Sequence, residues 1–127
     1  MKHFSHSEFD SPDAPGSGKK MAIHTLNKAD QARDIAEVPF YITSGFRTEG
    51  HNADVGGVPG SAHTRGYAFD IAISDYDEAT VVRIISALVQ AGLRRIGRAN
   101  SFVHADDDPE KPTPAYWDYL DGEEHKA

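Results

Sequence analysis

Between Tyr67 and Ile73 the chain alternates large and small side chains: Tyr67, Phe69, Ile71 and Ile73 fall on one side, Ala68, Asp70 and Ala72 on the other. A period of two is the signature of a strand, and four large apolar side chains on one face fix which side must be buried. The opposite face carries a single carboxylate between two alanines, which leave room beside it for a metal and a substrate. Seven residues before Asp70 stands His63, in Ser61-Ala-His-Thr-Arg-Gly-Tyr-Ala-Phe-Asp70, and His104 follows in Ser101-Phe-Val-His-Ala-Asp106. Two histidines and a carboxylate are a familiar catalytic zinc set with one open coordination position. The remaining histidines His3, His6, His24 and His125 have no supporting spacing.

Composition narrows the alternatives. The chain has no cysteine, so thiolate ligands and disulfides are excluded and His, Asp and Glu are the metal-binding vocabulary. A formal charge of -7 with dispersed acids argues against a nucleic-acid partner, which a basic face would recognise. At 127 residues and 39% hydrophobic content, one domain with a real core is expected, spanning 1–127 rather than two small units, and a monomer is the corresponding expectation. The N-terminal Met-Lys-His-Phe-Ser-His lacks the apolar run of a signal peptide, and no window approaches the roughly 20 apolar residues of a membrane span. Synthesis in the cytoplasm is the corresponding expectation.

The coarse order of elements follows from pattern. Residues 1–20 read as a loop region, because Asp10 to Lys20 collects Ser, Pro, Asp and Gly. A helical stripe runs from about Lys19 to Ala36 through Met21, Ile23, Leu26, Ala29, Ala32 and Ile35, with Pro39 ending it. Phe40 to Thr43 is β-prone, Ser44-Gly-Phe-Arg47 turns away from it, and the glycine-rich stretch between His51 and Gly66 shows no regular pattern. Ser74 to Glu78 supplies an N-cap with a glutamate three residues on, for an apolar helix through Val81, Ile84, Ile85, Leu88 and Val89 that Gly92 closes. Leu93 to Ile96 and Ser101 to Ala105 read as a hairpin joined around Gly97, Ala99 and Asn100. Residues 107–127 read as irregular, with an aromatic cluster of Tyr116, Trp117 and Tyr119 that covers the core or rims a cleft, before an acidic tail. The expected fold class is α+β, a small mainly antiparallel sheet packed against two main helices.

Ser61-x-His63-x-x-Gly66-x-Ala68-x-Asp70, preceded by Ser44-Gly-Phe-Arg47 and His51-Asn52-x-x-Val55-Gly56-Gly57 and followed by Phe102-Val103-His104-x-Asp106, resembles the zinc D-Ala-D-Ala carboxypeptidase family. That family includes phage endolysins and bacterial peptidoglycan peptidases and shares its metal core with the hedgehog signalling domain. The opening Phe4-Ser-x-x-Glu8-Phe9-Asp-x-Pro12 is similar to its small phage-type branch, which commonly has cysteine where Ser11 stands. The resemblance spans about Phe4 to Asp106.

The resemblance implies that His63, Asp70 and His104 bind one zinc ion, and that Arg47 lies near the carbonyl or carboxylate of a substrate. Chemistry is consistent with each role, since this ligand set keeps a water position and a guanidinium offers fixed charge to an oxyanion. The plainer reading of Arg47 is a surface ion pair. Ser61 either contacts the substrate or stabilises its own loop, and His51 is a further substrate contact or a loop-packing residue. Many relatives carry a general-base acid three residues before the last zinc histidine, where this chain has Ser101. Asp106 is the candidate replacement, with Asp107 and Asp108 behind it, and its competing role is to orient His104.

Two functional readings follow. The first is a zinc peptidase that hydrolyses an amide of the peptidoglycan stem peptide with metal-activated water, as a D-Ala-D-Ala carboxypeptidase or an L-Ala-D-Glu endopeptidase. It would act on the bacterial wall, after phage-mediated release or as part of a virion. The second is a non-catalytic zinc-binding module of the same fold, which the absent acid at Ser101 allows.

Overall fold

The computed structural model describes residues 1–119. The acidic tail anticipated from the sequence lies outside the described residues. Elements follow in the order helix α1 (Ile23–Ala36), strand β1 (Ile42–Ser44), helix α2 (Glu49–Asp54), strand β2 (Ala68–Ala72), helix α3 (Glu78–Gln90), and strands β3 (Arg95–Arg98), β4 (Phe102–Asp106) and β5 (Ala115–Asp118). Short 3-10 turns occupy His6–Phe9, Ser17–Lys20 and Ala62–Arg65. The strands form one sheet in the order β1-β2-β4-β3-β5, antiparallel throughout except that β5 runs parallel to β3. This is the expected α+β fold, with α1 and α3 as its two main helices.

The alternation in β2 decides how the sheet packs. Phe69 and Ile71 are fully buried and join Val103, Ala105 and Ile96 of the neighbouring strands in one apolar face. Against that face lie Leu26, Ala29, Ala32 and Ala36 of α1 and Val81, Ile84, Ala87 and Leu88 of α3. Each large side chain so buried contributes roughly 1.5–3 kcal/mol relative to exposure. The apolar row therefore sets both the strand register and the side of the sheet the helices take.

Several local expectations are corrected. The N-terminal region is not a loop: Glu8 returns its carboxylate to the backbone N–H of Ser5, and the Asp10 carboxylate accepts from Gly16 and Gly18, closing two tight turns. These turns bring Phe4 and Phe9 into the core, ring centroids 5.5 Å apart. Helix α1 begins at Ile23 rather than Lys19, and Ile23 is exposed, because Ser17–Lys20 closes as its own turn and Met21 is extended. It ends at Ala36 with Glu37 in the left-handed region at φ 60°, two residues before Pro39. Helix α3 is capped by Asp77, whose side chain accepts from Thr80 N, not by the earlier Ser74 or Asp75.

The region between His51 and Gly66 is more ordered than its glycines suggested. Helix α2 begins after Thr48, whose hydroxyl accepts from His51 N, and Ser61 likewise caps the turn Ala62–Arg65. Gly66 ends that turn at φ 81°, where a Cβ would lie 2.4 Å from the carbonyl oxygen of Lys20. Gly97 is a residue of β3 and not of the hairpin turn. Residues 107–119 are not wholly irregular either, since Ala115–Asp118 adds an edge strand to β3. The prolines before it spoil local pattern, but pairing with an existing strand supplies the order that propensity lacks.

Candidate metal centre and cleft

The face of the sheet opposite the helices is polar at its middle. Strand pairing sets Asp70 directly against His104, and His104 against Gly97, so the two side chains project from the same face of adjacent strands. His63 reaches the same point from the turn Ala62–Arg65, held by Ser61 at the turn's start and by Arg47 N donating to His63 O. His63, Asp70 and His104 are all buried, and their facing atoms form a triangle: His63 Nε2 to His104 Nδ1 3.2 Å, His104 Nδ1 to Asp70 Oδ1 3.0 Å, His63 Nε2 to Asp70 Oδ1 3.2 Å. These residues can hold a metal ion.

The outer nitrogens of both rings fix which atoms point inward. His63 Nδ1 lies 2.8 Å from the carbonyl oxygen of Gly45, and His104 Nε2 lies 2.7 Å from Asp106 Oδ2. Both partners are acceptors, so both outer nitrogens carry hydrogen and each neutral ring turns a lone pair inward. With both rings neutral, three acceptors 3.0–3.2 Å apart need a positive charge between them, which an ion supplies or, in its place, a proton on His104. Zinc bonds of about 2.0–2.1 Å in tetrahedral geometry require ligand atoms about 3.3 Å apart. The triangle fits that edge, and the donor set fits the ion.

Electrostatics treat the two rings differently. Burial pushes the His63 imidazole down, toward the neutral form that ligates. Burial works against the charge of His104 as well, but hydrogen bonds with Asp106 and Asp70, and their charges, raise it. For Asp70 burial acts upward, and the charge of His63 with hydrogen bonds to His104 and His63 overcomes it, holding the carboxyl well below the usual carboxylate range. Asp70 is therefore ionised.

Arg47 stands beside this triangle on the chain leaving β1. It is buried, and its donors are fully committed in direction: Nε to Ser44 Oγ at 3.0 Å, Nη1 to Asn52 Oδ1 at 3.2 Å and Nη2 toward Asp70 Oδ2 at 3.4 Å. Asn52 in turn donates to the Val58 carbonyl at 2.9 Å, tying the guanidinium to the loop after α2. Arg47 and Asp70 line a cleft of ≈ 350 Å³ with His51 of α2 and with Thr43, Ser44, Ser74, Ser101 and Phe102. A surface ion pair does not describe this buried, braced arginine.

The other sequence candidates separate. Ser61 is fully buried and caps the His63 turn through its hydroxyl. Ser101 is exposed at the cleft wall. Asp106 is buried on the far side of His104 from the triangle, with Arg95 Nε 2.8 Å from its other oxygen. Asp107 is drawn to α1 by Thr25, His24 and Lys28, and Asp108 pairs with Arg65. Sequence reading passed over Asn52, Ser44 and the Gly45 carbonyl as supports, although all three fall inside the motifs around Arg47. It placed Trp117 only in a cluster that covers the core or rims a cleft, without linking it to His104, whose ring lies 5.5 Å away, and gave no role to Arg95, whose guanidinium sits 5.2 Å over Trp117. No short-range signal links them to the site, because they arrive through strand pairing.

No curated protein matches the chain. Residues 2–106 match the model of the family described as Peptidase M15, a stretch that holds Arg47, His63, Asp70 and His104. With the family pattern covering most of its length and a buried triangle able to hold a metal ion at the expected motif, the chain belongs to the Peptidase M15 family.

Proposed function

We propose that this protein is a zinc-dependent peptidase that hydrolyses an amide bond in the peptide stem of bacterial peptidoglycan. The observation that carries the reading is the inward triangle of His63 Nε2, Asp70 Oδ1 and His104 Nδ1 at the edge of a cleft that also holds Arg47. His63, Asp70 and His104 hold the ion. Bound there, zinc supplies Lewis acidity, bringing a water's pKa near neutral and polarising a carbonyl.

The remaining work falls to this chain's side chains. Gly45 O and Asp106 keep the two imidazoles in ligating tautomers and orientation. Arg47, braced by Ser44 and Asn52, presents fixed positive charge to the substrate's carbonyl oxygen or terminal carboxylate. Asp106 acts by positioning His104, since its oxygens face the outer nitrogen of that ring and Arg95. The proton shed by the attacking water needs an acceptor on the cleft side, and Ser101 is not a base. His51 is the titratable cleft-lining group besides Arg47 and Asp70 among the described residues. It contacts substrate and carries that proton. Thr43, Ser44 and Ser74 give the cleft hydroxyls suited to the backbone of a short polar peptide. Removal of terminal D-alanine and cleavage between L-alanine and D-glutamate use the same centre, at the bacterial wall.

Digestion of purified peptidoglycan by zinc-loaded protein, with mass spectrometry of the released fragments, tests the reading and names the bond. New stem-peptide termini are expected. Intact peptidoglycan after prolonged incubation with zinc-saturated protein would instead favour the zinc-binding module without activity, as the serine at 101 allows.

A further inference from the structure

The aromatic segment after the family match completes the face that carries the metal triangle. Asp70 pairs with His104, His104 with Gly97, and Gly97 with Trp117, so one row crosses four strands on that face. Gly97 leaves a gap in the row, and two rings fill it: a Cβ there would lie 2.6 Å from Trp117 Nε1 and 2.8 Å from Tyr119 Cε2. Trp117 rests against His104, and Tyr119 packs on Phe102 of the cleft wall, centroids 5.9 Å apart. Tyr119 is 5% exposed, and the indole N–H of Trp117 can only donate to its oxygen, so among the described residues nothing accepts the phenol's own proton. Buried donors nearly always find an acceptor, so an unused one beside a candidate active site points to a ligand. The phenol lies near enough to Asp70, Arg47 and Asp106 to feel their charges, and burial above all pushes it up to about 12. It keeps its proton at neutral pH and is a donor rather than a base.

We propose that the Tyr119 hydroxyl donates a hydrogen bond to the carbonyl oxygen of the amide being cleaved, opposite or beside Arg47, as negative charge builds on that oxygen. The proposal rests on the peptidase reading and extends it to a residue beyond the family match. Such a donor is worth most when the oxygen is charged, so its effect falls on turnover rather than on substrate binding.

Tyr119→Phe removes the hydroxyl and keeps the ring. In zinc-saturated protein the variant is expected to retain its metal and to melt at nearly the same temperature, since the ring stays and no acceptor of the hydroxyl's proton is lost. Its kcat on stem peptide should fall about 100-fold with little change in KM. A second readout does not depend on turnover: calorimetric titration with a phosphinate dipeptide, whose tetrahedral phosphorus carries the oxygen in question. Tyr119→Phe should bind it at least about tenfold more weakly than the wild type. Equal affinity in the two proteins, including no measurable affinity in either, overturns the proposal, as does a lower melting temperature with loss of zinc. A wild type that binds the phosphinate but releases no fragments from peptidoglycan sinks the peptidase reading and leaves Tyr119 to be decided by the titration.

Discussion

Asp106 Oδ2 meets His104 at Nε2, 2.7 Å away, on the opposite edge of the ring from the Nδ1 that faces Asp70. The carboxylate is thus placed to act on a bound ion only through the histidine between them. Asp106→Asn keeps the shape but exchanges an acceptor for an amide, so the ring loses the partner that fixes its tautomer. Zinc affinity is expected to weaken roughly 10–100-fold, while activity at saturating zinc changes far less. Chelator competition measures the first and a zinc-saturated assay the second. Normal zinc affinity with activity down about 100-fold or more would restore Asp106 as the general base.

The triangle itself is tested by metal content. One equivalent of zinc should accompany the purified wild type, and replacing His63, Asp70 and His104 together by alanine should abolish it. Zinc that persists in the triple variant would mean the ion sits elsewhere. Removing zinc from the wild type removes a ligand that binds only the folded state, and the protein should melt lower; free zinc at 100 times its dissociation constant corresponds to about 2.7 kcal/mol of stabilisation.

Arg47 should matter more to turnover than to folding of the zinc-loaded protein. Arg47→Lys keeps the charge but cannot reach Ser44, Asn52 and Asp70 with a planar fork. Losing an oxyanion contact of this kind costs about 100-fold in rate. Unchanged peptidoglycan cleavage by Arg47→Ala would assign the residue to structure alone.

Proton competition gives the sign of the pH dependence. The Asp106 and Asp70 carboxylates outweigh burial and raise His104, so the metal-free site holds a proton there to higher pH than an ordinary histidine does. Zinc must displace it. Apparent zinc affinity should therefore rise with pH through the raised His104 range and level off above it. Isothermal titration across acidic to neutral buffers measures this, and a flat profile would show that no ligand proton is released.

Gly97→Ala is expected to be costly for a reason visible only in the assembled sheet. The added methyl would meet Trp117 and Tyr119 in van der Waals overlap, within 2.6–2.8 Å. Overpacking of this kind typically destabilises by 1–3 kcal/mol, roughly. Thermal melting and the emission of Trp117, the chain's single tryptophan, report the displacement.

The strand at β2 and the candidate ligands His63 and Asp70 were legible in the sequence because both depend on short-range order. Alternation assigns Phe69 and Ile71 to the core and Asp70 to the opposite face whatever the rest of the chain does, and His63 sits close enough to Asp70 in sequence to suggest a shared site. The apolar stripe of α3 was legible for the same reason. Tertiary structure decided what depends on pairing between distant segments. It selected which strand β5 joins, and so brought Trp117 and Tyr119 across Gly97 to the metal face. It turned Asp106 toward the outer nitrogen of His104, although strand parity alone allowed either role for its carboxylate. It also made a cleft wall of Arg47, whose bracing by Ser44 and Asn52 follows from how α2 folds back after β1. Periodicity records which face a residue belongs to, but the neighbour it meets there is set by packing among elements that share no local pattern.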